Sequence, residues 1–330
     1  MPICLCFDNE NSKDGIGAQV LRIIQVYCLA REYGLGFVNR NILSFDAAPT
    51  DRFDSHNPRN LYYQKVRDFL ELEEDACHKI HTVHVLDNSR FLKFPIVLRL
   101  WIIKRNWKSK REKSHELWVV KNPYGLSIRN SSILRHFQFR RPPLKKSFKL
   151  DNNFDIQLHI RRAAISQQSQ NERFTSTDWY RKILSQITAV LETNNQLYSV
   201  TIHTDVGQAD LNISTSGLSK ESLAYSKTRG LVINDDDTIT LEYENFLDSF
   251  SSFKNISIVT DINPIDAWKI MQEADLLILA RSAFSLIPAL LIQGGSVISP
   301  IGFFRGPKSW IYLDKSSDLD LEDIRRIVKR

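Results

Sequence analysis

From Phe154 to Arg161 apolar and polar residues alternate without a break. Phe154, Ile156, Leu158 and Ile160 fall on one side of an extended chain, and Asp155, Gln157, His159 and Arg161 on the other. A strand with one apolar face is predicted, ending at the pair Arg161-Arg162. Beyond it, short apolar runs alternate with segments of helical period. Ile183, Ile187 and Leu191 recur at fours and predict a helix near 178–193. Strands follow at YSVTIHTD and ISIVTD, with an acidic, variable section between them. NPIDAWKIMQEA reads as a helix, DLLILA as a strand, FSLIPALLI as a helix and SVISP as a strand.

The amino-terminal part opens in the same way. ICLCF predicts a strand, Leu21, Ile24, Tyr27 and Cys28 carry a helical period, and Gly34 and Gly36 close that helix before Phe37-Val38 begin a second strand. A helix that turns acidic towards its end is expected over Asn60–Ile80. Strands separated by helices imply parallel sheets, hence an α/β fold with ligands beyond the carboxyl ends of the strands. That rule sets Arg161, Asp205, Asp261 and Ser282 along one rim.

At 330 residues the chain is long for one core, since single cores stop growing near ~250–300 residues. Two domains are expected, 1–149 and 150–330, joined through RRPPLKKSFKLDNN (140–153), whose two prolines and polar residues cannot continue a helix. The net charge of +6 hides a segregation: residues 99–149 hold fifteen Lys and Arg against two Glu, so the rest of the chain is net acidic. Such a band suits phosphates, an anionic lipid surface or an acidic glycan, and equally a solvated basic face.

No apolar run reaches the ~18–20 residues of a membrane span, and MPICLCFDNE lacks the basic and apolar regions of a signal peptide. A cytoplasmic protein with four reduced thiols is expected. His78, His81 and His84 repeat at threes, but the pattern around them turns strand-like, so no metal site is expected there.

Two constellations carry candidate chemistry. Arg161 and Arg162 close a strand with His159 on the same face as Arg161, and a guanidinium offers a planar fork of donors that pairs with phosphate oxygens. A structural ion pair is the alternative. In the second, Asn263 can cap a helix, Pro264 fits its first position and Asp266 can reach back to the cap or accept from a purine or ribose. Ser282 and Ser285 flank Phe284 at the start of the next helix, where hydroxyls and free amides can hold an anion or simply cap the helix. Pro288 is placed in the first turn of that helix, where it costs little. Gly15 and Gly17 meet the first helix where a dinucleotide fingerprint would begin, but its third glycine is Val20.

These segments resemble the superfamily of α-1,2-, α-1,6- and protein O-fucosyltransferases. DGIGAQVLRIIQVYCLAREYGL is similar to the family's glycine-rich opening helix, LHIRR to its HxRR motif, and TIHTD to a strand ending in an acidic residue. IDAWKIMQEADLLILARSAFSLIPALL, followed by GGSVISPIGFFRGPKSW, resembles its final motif. The α-1,2 type is nearest in spacing. The segments occur in family order over nearly the whole chain. Two positions differ: Ala163-Ala164 stand where Gly-Asp is common, and Ala18-Gln19 where Asn-Gln is common.

The resemblance implies a GT-B-like arrangement of two facing Rossmann-like domains, with GDP-fucose on the carboxyl-terminal one and acceptor on the amino-terminal one. Arg161 would be the catalytic residue, binding the diphosphate, with Arg162 in support and His159 shaping the strand end. Asp205 would end its strand at the site and Asp266 would read guanine. Ser282, Phe284 and Ser285 would hold the phosphates and the base side, with Gly15, Gly17 and Gln19 facing the donor. The implied reaction is metal-independent and inverting: fucose passes to a hydroxyl of a polysaccharide or lipid-linked glycan at the inner membrane face. A pyruvyl-transferase-like enzyme and a basic module binding nucleic acid or membrane are the alternatives.

Overall fold

A buried strand and the helix that follows it set the pattern of the amino-terminal part. In a computed structural model, residues 3–7, 16–39, 59–72, 80–87, 105, 115–121, 153–161, 175–204, 248–260, 262–302, 304 and 306–328 are described. Tertiary contacts divide the chain into two units, Met1–Arg141 and Pro142–Arg330. The expected boundary, 149/150, lies eight residues further on.

In the first unit, β1 (Ile3–Phe7) leads into α1 (Ile16–Glu32), β2 (Gly36–Phe37), α2 (Arg59–Leu70), β3 (Ile80–Asp87) and β4 (His115–Lys121). The strands pair in parallel in the order β2-β1-β4-β3. All five residues of β1 are buried, so its apolar run shows no alternation, as expected of a strand covered on both faces. α1 ends where Gly34 turns left-handed at φ 61, and Leu35 N–H then bonds back to Ala30 O at 2.8 Å. The α2 helix stops at Leu70, ten residues short of the expected end. Glu71 adopts φ 48, and Ile80 opens a strand held by the parallel ladder to β4. His81 and His84 both lie on β3, and His78 lies outside the described residues.

One thiol departs from expectation. Cys6 and Cys28 are buried thiols outside any disulfide, but Cys4 is disulfide-bonded. Motif spacing tests only neighbours in sequence, whereas a disulfide requires proximity in space. Burial, then the Glu32 carboxylate, pushes the Cys28 thiol up to about 12.

The second unit runs β5 (Phe154–Ile160), α3 (Thr177–Thr193), β6 (Tyr198–Thr204), β7 (Ile256–Val259), α4 (Pro264–Gln272), β8 (Leu276–Ile278), α5 (Ala283–Leu291), β9 (Ser296–Pro300), β10 (Ile311–Leu313) and α6 (Leu321–Val328). Its six strands are parallel in the order β10-β9-β8-β5-β6-β7. The alternation read in the sequence now has a reason. Ile156, Leu158, Ile160, Val200 and Ile202 pack with Ile183, Leu184, Ile187 and Leu191 of α3 and Ile324 and Ile327 of α6 in one core. Each such side chain contributes about 1.5–3 kcal/mol on burial. Ser176 caps α3, its hydroxyl accepting from Trp179 N–H at 3.2 Å.

The opposite sheet face is divided. Leu277 and Leu279 carry it apolar on and just after β8, while on β5 and β6 it bears Asp155, Gln157, His159, Ser199, Thr201 and His203. The strand order also reverses at β5: β6 and β7 extend to one side, β8 to β10 to the other. Such a switch point is where open parallel sheets take ligands. No helix among the described residues is long and apolar enough to cross a membrane.

Candidate functional site at the carboxyl ends of β5 and β8

Arg161 and Ser282 are 121 residues apart in sequence and meet at the switch point. Arg161 Nη1 donates to Ser282 Oγ at 3.2 Å. Ser282 is the N-cap of α5, and the same oxygen accepts Phe284 N–H at 3.3 Å. With both lone pairs of the hydroxyl engaged as acceptors, its proton is left to be donated. The turn is fixed from behind: Ser282 N–H bonds Ala280 O at 2.8 Å, and the fully buried Ser285 donates its hydroxyl to Ala280 O at 3.4 Å and Ser282 O at 3.3 Å. A partly buried guanidinium, a hydroxyl and a helix amino terminus thus converge.

Aromatic rings brace this turn. Phe284 packs against His159 at 5.1 Å between ring centroids and against Trp268 of α4 at 5.4 Å. Pro288 is the sixth residue of α5, not in its first turn as expected, and so deprives Phe284 of the N–H that would bond its carbonyl. Trp268 Nε1 donates to that carbonyl instead, at 3.0 Å. The helix therefore tolerates its internal proline because a neighbouring helix supplies the missing donor.

His159 is buried and neutral. Burial drives its pKa well below the ordinary value, and coupling to Arg161 and to the neighbouring imidazole of His203 adds to the effect. It can shape the site and exchange hydrogen bonds but brings no charge of its own.

The remaining expected residues separate into three groups. Asp266 sits in the first turn of α4 with its carboxylate 59% exposed and 3.6 Å from Lys269, outside the buried cluster; Asn263 alone caps that helix, accepting from Ile265 N–H at 2.9 Å. Gly17 and Gln19 are buried in α1 of the first unit. Arg162, Asp205 and Gly15 lie outside the described residues, as does most of 99–149. Among the described residues no group of three His, Cys, Asp or Glu is placed to hold a metal.

No protein-family model and no curated protein sequence matches this chain. Solved structures similar to it include POFUT1 in complex with GDP, at 11% identity and a TM-score of 0.44, covering 94% of this chain and 98% of that one. The Escherichia coli heptosyltransferase WaaC with ADP is similar at 10% identity and a TM-score of 0.39, covering 94% and 93%. A Methanocaldococcus jannaschii UDP-GlcNAc 2-epimerase is similar at 10% and 0.35, covering 100% and 92%.

Two residues beside the site escaped sequence reasoning: Trp268 and His203. Gln157 Nε2 donates to Asp155 Oδ1 at 2.8 Å, and Gln157 Oε1 meets His203 Nε2 at 2.7 Å. Asp155 and Gln157 were visible as the polar members of an alternating strand. That they are wired to β6 depends on the register of β5 with β6, which aligns His159 with His203.

Proposed function

We propose that the chain is an inverting glycosyltransferase of GT-B type that transfers fucose from GDP-fucose to a hydroxyl of a glycan, without a required metal. The observation that carries this reading is the Arg161–Ser282 contact at the switch point of a parallel sheet, in the motifs that resemble those of the fucosyltransferases. In the reaction the acceptor oxygen attacks the anomeric carbon from the face opposite the diphosphate. The carbon–oxygen bond to the diphosphate breaks, its electron pair leaves with GDP, and the acceptor proton passes to a base. Charge develops on the leaving diphosphate, where Arg161, the Ser282 hydroxyl and the amino terminus of α5 offer fixed positive potential. Phe284 and His159 wall the pocket, and the exposed Asp266 carboxylate accepts from the guanine edge. The first unit binds the acceptor. Segment 99–149 docks an acidic or lipid-linked acceptor at the cytoplasmic membrane face.

A thermal-shift panel of nucleotide sugars tests the donor class. GDP and GDP-fucose raise the melting temperature of the wild type and leave Arg161→Ala unmoved, while UDP- and ADP-sugars have little effect on either. Equal stabilisation of the mutant, or a preference for another nucleotide, contradicts the reading.

A further inference from the structure

The polar half-face of the carboxyl-terminal sheet is wired in one direction. An ionised carboxylate only accepts hydrogen bonds, so the Gln157 atom 2.8 Å from Asp155 Oδ1 is the amide nitrogen. Gln157 Oε1 therefore faces His203, and the His203 nitrogen 2.7 Å away must be the protonated one. The ring is neutral, since burial holds it down to about 4. If Nε2 carries the proton, Nδ1 is a bare acceptor. Ser199 Oγ and Asn153 Nδ2 extend the ladder behind Asp155, at 3.5 and 3.2 Å, so the orientation is fixed from the strand's amino end towards its carboxyl end.

His203 is only 2% exposed, yet its Nδ1 has no hydrogen-bond partner among the described residues. Nδ1 of His159, its register partner on β5 two residues before Arg161, is in the same condition. An unpaired buried polar atom costs about 1–3 kcal/mol, and a purely packing role at these positions would be filled more cheaply by an apolar residue. We propose that His203 is a ligand-positioning residue of this site, its Nδ1 accepting a hydrogen bond from a hydroxyl of the bound nucleotide sugar. The proposal rests on the donor reading above and adds to it a specificity contact. Arg161 and Ser282 engage the anion, whereas a bare imidazole nitrogen rejects an anion and selects a neutral donor group.

Nitrogen-15 NMR of the histidine rings in the full-length wild type tests this without any substitution, because protonated and bare ring nitrogens resonate far apart. The expected result is a His203 ring protonated at Nε2 in the free protein. Its Nδ1 signal moves on adding GDP, for a ribose hydroxyl, or only on adding GDP-fucose, for a sugar hydroxyl; pyrophosphate, which has no donor carbon hydroxyl, leaves it in place. His203→Gln, which keeps a donor for Gln157, is expected to weaken binding of the responsive ligand by about tenfold with an unchanged melting temperature. A ring protonated at Nδ1 overturns the proposal, and so does an unmoved Nδ1 while GDP-fucose binds in an Arg161-dependent way. If the wild type binds none of the three probes, the donor reading itself fails and the His203 contact falls with it; the tautomer distinguishes that outcome from a failure of the contact alone.

Discussion

His159 and His203 show how much chemistry a sheet position can hold once its neighbours are known. Both imidazoles are held neutral mainly by burial, His203 at about 4 from an ordinary 6.5. A base whose pKa is lower in the folded state binds its proton more readily when unfolded. Its contribution to stability is therefore complete above about pH 6.5 and is lost as the pH falls towards about 4. Over that window each such group costs on the order of 1.4 kcal/mol per pH unit. Urea midpoints at pH 7 and pH 5 should drop more for the wild type than for His203→Gln; equal drops would show that His203 does not titrate in this way. Sequence alternation identified His159 and Arg161 as sharing a face. It did not identify His203, because TIHT marks a polar position without saying which strand lies beside it, and the 2.7 Å contact with Gln157 exists only in the paired register.

Among the elements, α4 and α5 best illustrate local rules overridden by tertiary contact. Asn263 and Ser282 cap these helices as their sequence suggests, but the proline expected at the edge of α5 lies inside it. The reason is the early start at Ala283, directly after the Ser282 cap, which leaves Pro288 too far along to be a first-turn residue. Trp268 resolves the conflict by donating to Phe284 O, a bond no periodicity foretells. Trp268→Phe keeps the aromatic packing on Phe284 and removes that donor, so chemical denaturation should show a loss of about 1–3 kcal/mol. An unchanged stability would mean that the Phe284 carbonyl finds another donor. In the first unit the opposite conflict arises: the helical pattern expected to reach Ile80 ends at Leu70, because β3 is claimed by its ladder with β4.

For the molecule as a whole, the alternation of strands and helices made the parallel sheet of the second unit legible, whereas in the first unit β1, α1 and β2 were read and β4, which joins β1 to β3, was not. Strand order was not legible, since helical crossovers of similar length can place β8 on either side of β5. That order matters most, because it creates the switch point at which residues 161 and 282 meet. The concentration of positive charge in 99–149 is a property of the sequence alone and bears on the choice of anionic partners rather than on fold. In the function proposed above, the carboxyl-terminal unit reads a diphosphate through Arg161. Calorimetric titration of GDP into the wild type, Arg161→Lys and Arg161→Ala tests it most directly. The expected result is saturable binding by the wild type, weakened about tenfold or more by lysine, which keeps the charge but not the planar fork, and abolished by alanine. Equal affinity in all three proteins would contradict it.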